Sequence, residues 1–329
     1  MKLATLKDGS RDGRLVVVSR DLSRAVHADG IATTLLDAVE RWSQTQPQLA
    51  ALSERLNAGA VPDSFAFDAS QAAAPLPRAP QWCDGSAFLN HGQLMQQAFH
   101  LEPMPDADTV PLMYQGGSDD MLGGCDDVPL PSEAHGIDFE GEFGVIVGDV
   151  PMGCSARGAR SRILLLVQLN DVSLRAMAPF EMKRGFGFFH AKPSTSFASV
   201  AVTPDEIGEA WRDCRVHLDL AIDLNGQWFG NPNGGEMHFG FDELVAHAAL
   251  TRRLSAGTII GSGTVSNAGG AKGSACITER RAIETIQHGA PRTPFMRFGD
   301  RVRMEARCDG APVFGAIDQR VVPAPPPQE

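Results

Sequence analysis

Apolar and polar residues alternate in short runs over most of this chain, and few segments repeat at the helical period; the pattern predicts many short strands and few helices. Leu3 to Leu6, Arg14 to Ser19 and Ala25 to Ala28 read as strands separated by Asp-Gly and Asp-Leu-Ser turn signals. From Ala32 to Thr45, the residues Leu35, Leu36, Ala38, Val39 and Trp42 fall at helical spacing, and Pro47 then opens a second short helix reaching Asn57. Three prolines hold Ala72 to Pro80 extended. That linker divides the chain into a small N-terminal β/α domain, residues 1–75, and a larger domain, residues 76–322.

Beyond the linker, Asp84 to Phe99 reads as a helix capped by Asp84 or Ser86, with Phe88, Leu94 and Phe99 turned inward and His91 about two turns from the start. A loop punctuated by glycine and proline, Pro103 to Pro131, carries the single tyrosine, Tyr114. His135 to Gly148 reads as one strand and Ile163 to Asn170 as a buried one, with Asp171 to Arg175 opening a short helix. Phe186 to Phe197 is a loop rich in glycine and aromatics. Alternation at Val216, Leu218, Leu220 and Ile222 ends at Asn225-Gly226, a type I′ hairpin signal. Phe241 to Leu250 is an amphipathic helix, and Gly257 to Thr264 is a strand running into a glycine turn. Arg301 to Ala306 and Pro312 to Ile317 are the last strands, on either side of Asp309-Gly310, and the Pro-rich tail 323–329 is expected to be disordered. The sum is a β-rich α+β fold, not a doubly wound sheet.

Candidate chemistry centres on Glu140 and Glu142. On one strand their side chains share a face, while Gly141 leaves the other face open. An isolated Glu-x-Glu is more often a solvated strand face. Here Ile137, Phe139, Phe143, Val145 and Val147 make the segment too apolar for a wet edge, and buried carboxylates need a partner. Asp171, at the end of the next strand, would supply a third oxygen, or equally cap the turn that follows. Such hard ligands suit Mg²⁺ or Ca²⁺ rather than Zn²⁺. On local grounds His91 reads as a core histidine, and Arg175 as an ordinary ion-pair partner. Lys192, inside the aromatic loop, is less expected to be merely solvated.

Composition narrows the partners. Lys and Arg total 29 against 40 Asp and Glu, and no basic stripe with interleaved aromatics appears, which argues against a nucleic-acid partner. Charge interrupts the N-terminal residues and no apolar run reaches membrane-spanning length, so a cytoplasmic protein with no membrane partner is expected. The six cysteines are scattered singly, as reduced thiols would be. No Gly-x-Ser-x-Gly, Walker A or His-Glu-x-x-His motif occurs, and Gly261-Ser-Gly263 and Gly185-Phe-Gly187 lack the third glycine of a dinucleotide fingerprint.

Several motifs taken together resemble the fumarylacetoacetate hydrolase family, in its shorter bacterial form, from Gln81 to Ile317. They are Asp84 with His91, Tyr114-Gln-Gly-Gly-Ser, Ile137-Asp-Phe-Glu-Gly-Glu, Leu169-Asn-Asp-Val-Ser-Leu-Arg, His190-Ala-Lys-Pro, Gly261-Ser-Gly-Thr-Val-Ser-Asn and Gly273-Ser-Ala-Cys-Ile-Thr-Glu. The resemblance implies a mixed β-sandwich roll behind a small N-terminal domain, assembled as a homodimer. It implies a divalent cation, Mg²⁺ or Ca²⁺ with Mn²⁺ a further candidate, held by Asp84, Glu140, Glu142 and Asp171. His91 would be the base that activates water, oriented by Glu279 or, within the precision of the match, Glu284. Arg175 and Lys192 would polarise the attacked carbonyl, and Tyr114 and Thr264 would contact substrate. This chain departs from the eukaryotic fumarylacetoacetases after the motif arginine, where Ala178 replaces a glutamine and no tyrosine follows. The implied reaction is hydrolysis of a small 1,3-diketo acid, 4-fumarylacetoacetate in tyrosine and phenylalanine breakdown. Rival readings are acylpyruvate hydrolysis, oxaloacetate decarboxylation, 2-keto-pentenoate hydration, or ligand binding without turnover.

Overall fold

The computed structural model describes residues 1–326. At the N-terminus, the three expected strands, β1 (Lys2–Leu6), β2 (Arg14–Val18) and β3 (Arg24–His27), pair as an antiparallel meander, with β4 (Phe65–Ala66) at its edge. Two helices follow β3, α1 (Leu35–Glu40) and α2 (Trp42–Asn57). Pro47 does not open the second helix but lies inside it. The break falls instead at Arg41, and proline is tolerated because it and Ser43, whose carbonyl it leaves unpaired, both face solvent.

The larger segment adds β5 (Trp82–Gly85), β6 (Met113–Gly116), β7 (Ile137–Asp138), β8 (Gly141–Val147), β9 (Ile163–Asn170), β10 (Ser173–Leu174), β11 (Ala201–Val202) and β12 (Ile259–Gly261). A twelve-stranded mixed sheet runs β4-β3-β2-β1-β11-β9-β8-β12-β5-β6 along its main path. Because β1 pairs with β11, the N-terminal strands and the larger segment share this sheet. The proline-rich stretch between them is extended and pinned, with Thr5 Oγ1 donating to Pro75 O at 2.7 Å and Ala73 N to Thr5 O at 2.9 Å.

A second sheet orders the strands Gln227–Gly230, Leu220–Leu224, Arg301–Cys308, Ile317–Pro323 and Val128–Leu130. The two sheets pack face to face as the expected sandwich. Phe139, Phe143, Ile222, Met304 and Phe314 lie in the core between them. Gly141 shows why the Glu-Gly-Glu spacing suits this place: a Cβ there would come within 2.8 Å of Ile222 and 2.9 Å of Leu220. On the other side of the first sheet, Leu35, Val39, Leu49 and Leu56 of α1 and α2 cover Leu3, Val17, Val167 and Leu169.

The helix expected over Asp84–Phe99 is shorter than its pattern. α3 spans Leu89–Phe99, because Trp82 to Gly85 are claimed by strand pairing with β12 and β6. Asp84 therefore stands on a strand, and His91 lies in the first turn of α3. Phe88 is buried as expected, whereas Phe99 is half exposed. His135–Gly148 is not one strand either. β7 pairs with β10, β8 joins the main sheet, and Glu140 sits at the break between them, bridged to Cys276. Asp171 to Arg175, expected to open a helix, contains β10, and the helix α4 (Ala178–Arg184) starts later.

The Asn225-Gly226 hairpin forms with both residues at positive φ, 54° and 74°. α5 (Phe241–Ala248) forms as read, and α6 (Ile277–His288) is a helix the apolar pattern did not reveal. The last strand is Ile317–Pro323 and not Pro312–Ile317. Its end, with Ala324 N donating to Leu130 O at 2.8 Å, orders part of the tail expected to be disordered; 327–329 lie outside the described residues.

Candidate metal and hydrolase centre

Four elements deliver carboxylates to one buried place. Asp84 comes from the end of β5, Glu142 from β8, Asp171 from just past β9, and Glu140 from the break before β8. Oxygens of Asp84, Glu142 and Asp171 lie within 4.8 Å of one another. Asp84 reaches this position because β12 is glycine where it passes. A Cβ on Gly261 would come within 2.3 Å of Asp84 Oδ1, and Gly263, at φ 76°, donates its N–H to the same oxygen at 3.0 Å.

The four carboxylates are not alike. Glu142 is completely buried, and neither of its oxygens has a hydrogen-bond partner. Burial pushes its carboxyl well above the usual carboxylate range, and the charges of Asp84 and Asp171 push it further. Asp84 is raised in the same way, by burial and by Asp171. Glu140 behaves oppositely: although burial opposes it, Lys192 and Arg175 hold it far below the usual range. Arg175 Nη2 donates to Glu140 Oε1 at 2.6 Å and Lys192 Nζ to Oε2 at 2.5 Å.

Lys192 Nζ also donates to Asp171 Oδ2 at 2.6 Å, so one ammonium spans Glu140 and Asp171. Burial disfavours its charge, but Asp171 and Glu140 more than offset that and raise its pKa. Tyr114 lies beside Asp84 in the β5–β6 register and donates its Oη to Asp171 Oδ2 at 2.6 Å. Its hydroxyl proton is held tightly, by burial first and then by the negative charge of Asp171 and Asp84. Thr195, missed in the sequence, donates to Asp171 Oδ1 at 2.9 Å.

His91 stands beside this cluster, with one of its nitrogens, a Glu140 oxygen and Cys276 Sγ within 4.8 Å of one another. Its Nδ1 pairs with Glu279 Oε2 at 2.9 Å, so of the two glutamates considered it is Glu279, on α6, that the structure brings to His91. Glu284 is spent elsewhere, accepting from Arg292 N, Thr293 N and the Thr293 hydroxyl. Thr264 is buried in the turn after β12 and makes no hydrogen bond to any of these side chains. The loop before Lys192 is tied by Glu181 of α4, which accepts the N–H groups of Phe189, His190 and Ala191.

A divalent cation fits this arrangement on the structure's own evidence. Glu142 presents two buried, unpartnered oxygens toward two further carboxylates, a donor set of hard oxygens. A proton shared with Asp84 or a cation must answer that charge.

A buried carboxylate cluster backed by a histidine–glutamate pair defines the class of the site, a candidate metal-dependent hydrolase centre. Residues 81–322 match the family model described as fumarylacetoacetate (FAA) hydrolase C-terminal, and residues 1–78 match fumarylacetoacetase N-terminal domain 2. The chain belongs to the fumarylacetoacetate hydrolase family. It is 30% identical over 174 residues to a 2,4-didehydro-3-deoxy-L-rhamnonate hydrolase of Sphingomonas sp. (strain SKA58), covering 52% of this chain and 57% of that protein. A putative hydrolase of Burkholderia ambifaria is 26% identical over 157 residues, 47% of this chain and 53% of its own. The chain thus spans about half the length of the curated relatives it matches. Two solved structures share the fold over 99% of this chain and 100% of theirs. They are a putative HpcE protein from Mycobacterium smegmatis (TM-score 0.71, 19% identity) and maleylpyruvate hydrolase from Sphingobium sp. SYK-6 in complex with manganese(II) ion and pyruvate (TM-score 0.64, 16% identity). Among the described residues no helix is long and apolar enough to cross a membrane.

Proposed function

We propose that this protein is a divalent-metal-dependent hydrolase that cleaves the carbon–carbon bond of a 1,3-diketo acid. The observation that carries the reading is the unpartnered Glu142 carboxylate among Asp84 and Asp171, next to a histidine whose Nδ1 is engaged by a buried glutamate. Asp84, Glu142 and Asp171 would hold the cation, with Glu140 as the fourth ligand implied by the family motifs. When bound, the cation supplies Lewis acidity that lowers the energy of negative charge on enolate oxygens.

The protein's own residues account for the rest. Glu279 at Nδ1 leaves the Nε2 of His91 to accept a proton from water, and the hydroxide adds to the carbonyl. The carbon–carbon bond breaks and its electron pair passes to the leaving enolate. The proton held by His91 returns to that carbon, so one water is consumed and two acids result. Lys192 and Arg175, both kept protonated by their carboxylate neighbours, set positive charge beside the attacked carbonyl. Tyr114 and Thr264 are proposed as substrate contacts.

Two substrates fall within this reading. One is 4-fumarylacetoacetate, as the family motifs imply. The other is an acylpyruvate, favoured by Ala178 standing where the eukaryotic fumarylacetoacetases carry glutamine and by the likeness in fold to maleylpyruvate hydrolase. The test is a panel of fumarylacetoacetate, fumarylpyruvate, acetylpyruvate and oxaloacetate assayed with Mg²⁺ or Mn²⁺ and with chelator. Chelator-sensitive loss of the diketone ultraviolet absorbance is expected for at least one diketo acid. Turnover of none of them overturns the reading, and turnover of oxaloacetate alone points to decarboxylation.

A further inference from the structure

Asp138 is completely buried on β7, two residues before Glu140. Four donors converge on its carboxylate. Ile277 N reaches Oδ1 at 2.7 Å, while Thr278 N at 2.9 Å, Thr278 Oγ1 at 2.8 Å and Arg175 Nε at 2.8 Å reach Oδ2. These donors belong to two separate parts of the site. We propose that Asp138 is a positioning residue, setting the His91–Glu279 pair in register with the Glu140–Lys192–Asp171 side of the centre.

Ile277 and Thr278 are the first two residues of α6, and Glu279 is the third. A helix leaves its first N–H groups without internal partners, and its N-terminus favours a negative charge. Asp138 takes the first two of those groups, and Cys276 Sγ takes the N–H of Glu279 at 3.2 Å. The first turn of α6 is thereby fixed to β7, and with it the carboxylate that orients His91.

On the other side, Arg175 divides its guanidinium between Asp138 and Glu140. A plain helix cap would need only the N–H groups, and Cys276 already provides one. Arg175 gives the contact its second purpose. Glu140 in turn holds Lys192, which reaches Asp171, so one carboxylate joins the base to the cationic side of the site.

Asparagine cannot replace it. An amide presents one acceptor oxygen and one donor group, so its NH₂ must face either Ile277 N–H or the Thr278 and Arg175 donors, and one side lets go. Thr278→Val is the milder change, removing a single donor while keeping both backbone contacts.

The experiment compares wild type, Asp138→Asn and Thr278→Val by two readouts. The first is the nuclear magnetic resonance signal of the His91 Nδ1 proton, assigned by its absence in His91→Gln. The second is the kinetics of acetylpyruvate hydrolysis with Mn²⁺; only this arm rests on the proposed function. In Asp138→Asn the resonance moves upfield or is lost to exchange, and kcat falls about 10- to 100-fold with KM little changed, as expected for loss of an outer partner of a metal or catalytic group. Thr278→Val moves both in the same direction by less, and decides the matter if Asp138→Asn does not fold. A folded variant whose His91 resonance and kcat match wild type overturns the proposal. Wild-type protein inactive on acetylpyruvate counts against that substrate reading, while the resonance still decides the role of Asp138.

Discussion

Replacing Glu142 with glutamine should stabilise the metal-free protein and abolish its response to metal. Oxygens of Glu142, Asp84 and Asp171 lie within 4.8 Å of one another. At an effective dielectric constant near 20, each like-charged pair at that spacing costs about 3 kcal/mol. Proton uptake by the cluster relieves part of this, so the net gain from Glu142→Gln at pH 8 is about 1–3 kcal/mol. For a chain of 329 residues the unfolding entropy is about 0.7 kcal/mol/K, which converts the gain to roughly 1–4 °C. The pH dependence has a definite sign. A carboxyl whose folded pKa is raised above its unfolded value costs nothing below the unfolded value near 4, and its full cost above the raised one. The advantage of glutamine therefore grows as pH rises from about 4. In wild type, Mn²⁺ at 100 times its Kd adds about 2.7 kcal/mol, again about 4 °C. Thermal melts at several pH values, with chelator and with Mn²⁺, read both effects. A variant that melts below wild type in chelator at pH 8, or that keeps the wild-type Mn²⁺ shift, refutes the reasoning.

Three further substitutions separate the roles of neighbouring groups. His91→Ala should lower diketo-acid hydrolysis by about 10²- to 10⁴-fold while largely sparing decarboxylation of oxaloacetate; equal loss of both activities in the ultraviolet assay argues against His91 as the hydrolytic base. Lys192→Met leaves Glu140 and Asp171 without their shared cation and should cost about 3–5 kcal/mol in chelator, read as a lower melting temperature. An unchanged melt would mean the lysine contributes little to the fold. Glu181→Gln weakens the three N–H contacts that tie the loop before Lys192, so chymotrypsin should cut faster at the exposed Phe186 and Phe189. Wild-type cleavage rates would contradict that role.

Which residues gather at the candidate site was more legible in the sequence than where the elements begin and end. Asp138, Glu140 and Glu142 alternate at the strand period and all three are buried, but the strand breaks at Glu140, whose oxygen groups with His91 and Cys276 while Glu142 groups with Asp84 and Asp171. The same alternation contained Asp138, whose importance emerges only once α6 is seen to begin against it. α6 was hidden because Thr278, Glu279, Arg280 and Arg281 crowd its first turn and few apolar residues mark its face. Asp84 suggested a helix cap by residue type. Its strand is set by partners far away in sequence, β12 and β6, which no local pattern reports. Choosing Glu279 over Glu284 likewise needed the packing of α6 on α3.

The most direct measurement is the anomalous difference map of a crystal grown with Mn²⁺, collected above the manganese edge. One peak is expected about 2.0–2.6 Å from carboxylate oxygens of Asp84, Glu142 and Asp171, with Glu140 as the fourth carboxylate beside it. A peak held by other residues, or no peak at millimolar Mn²⁺ in crystals of protein that turns over a diketo acid, would contradict the claim that these carboxylates form the metal centre.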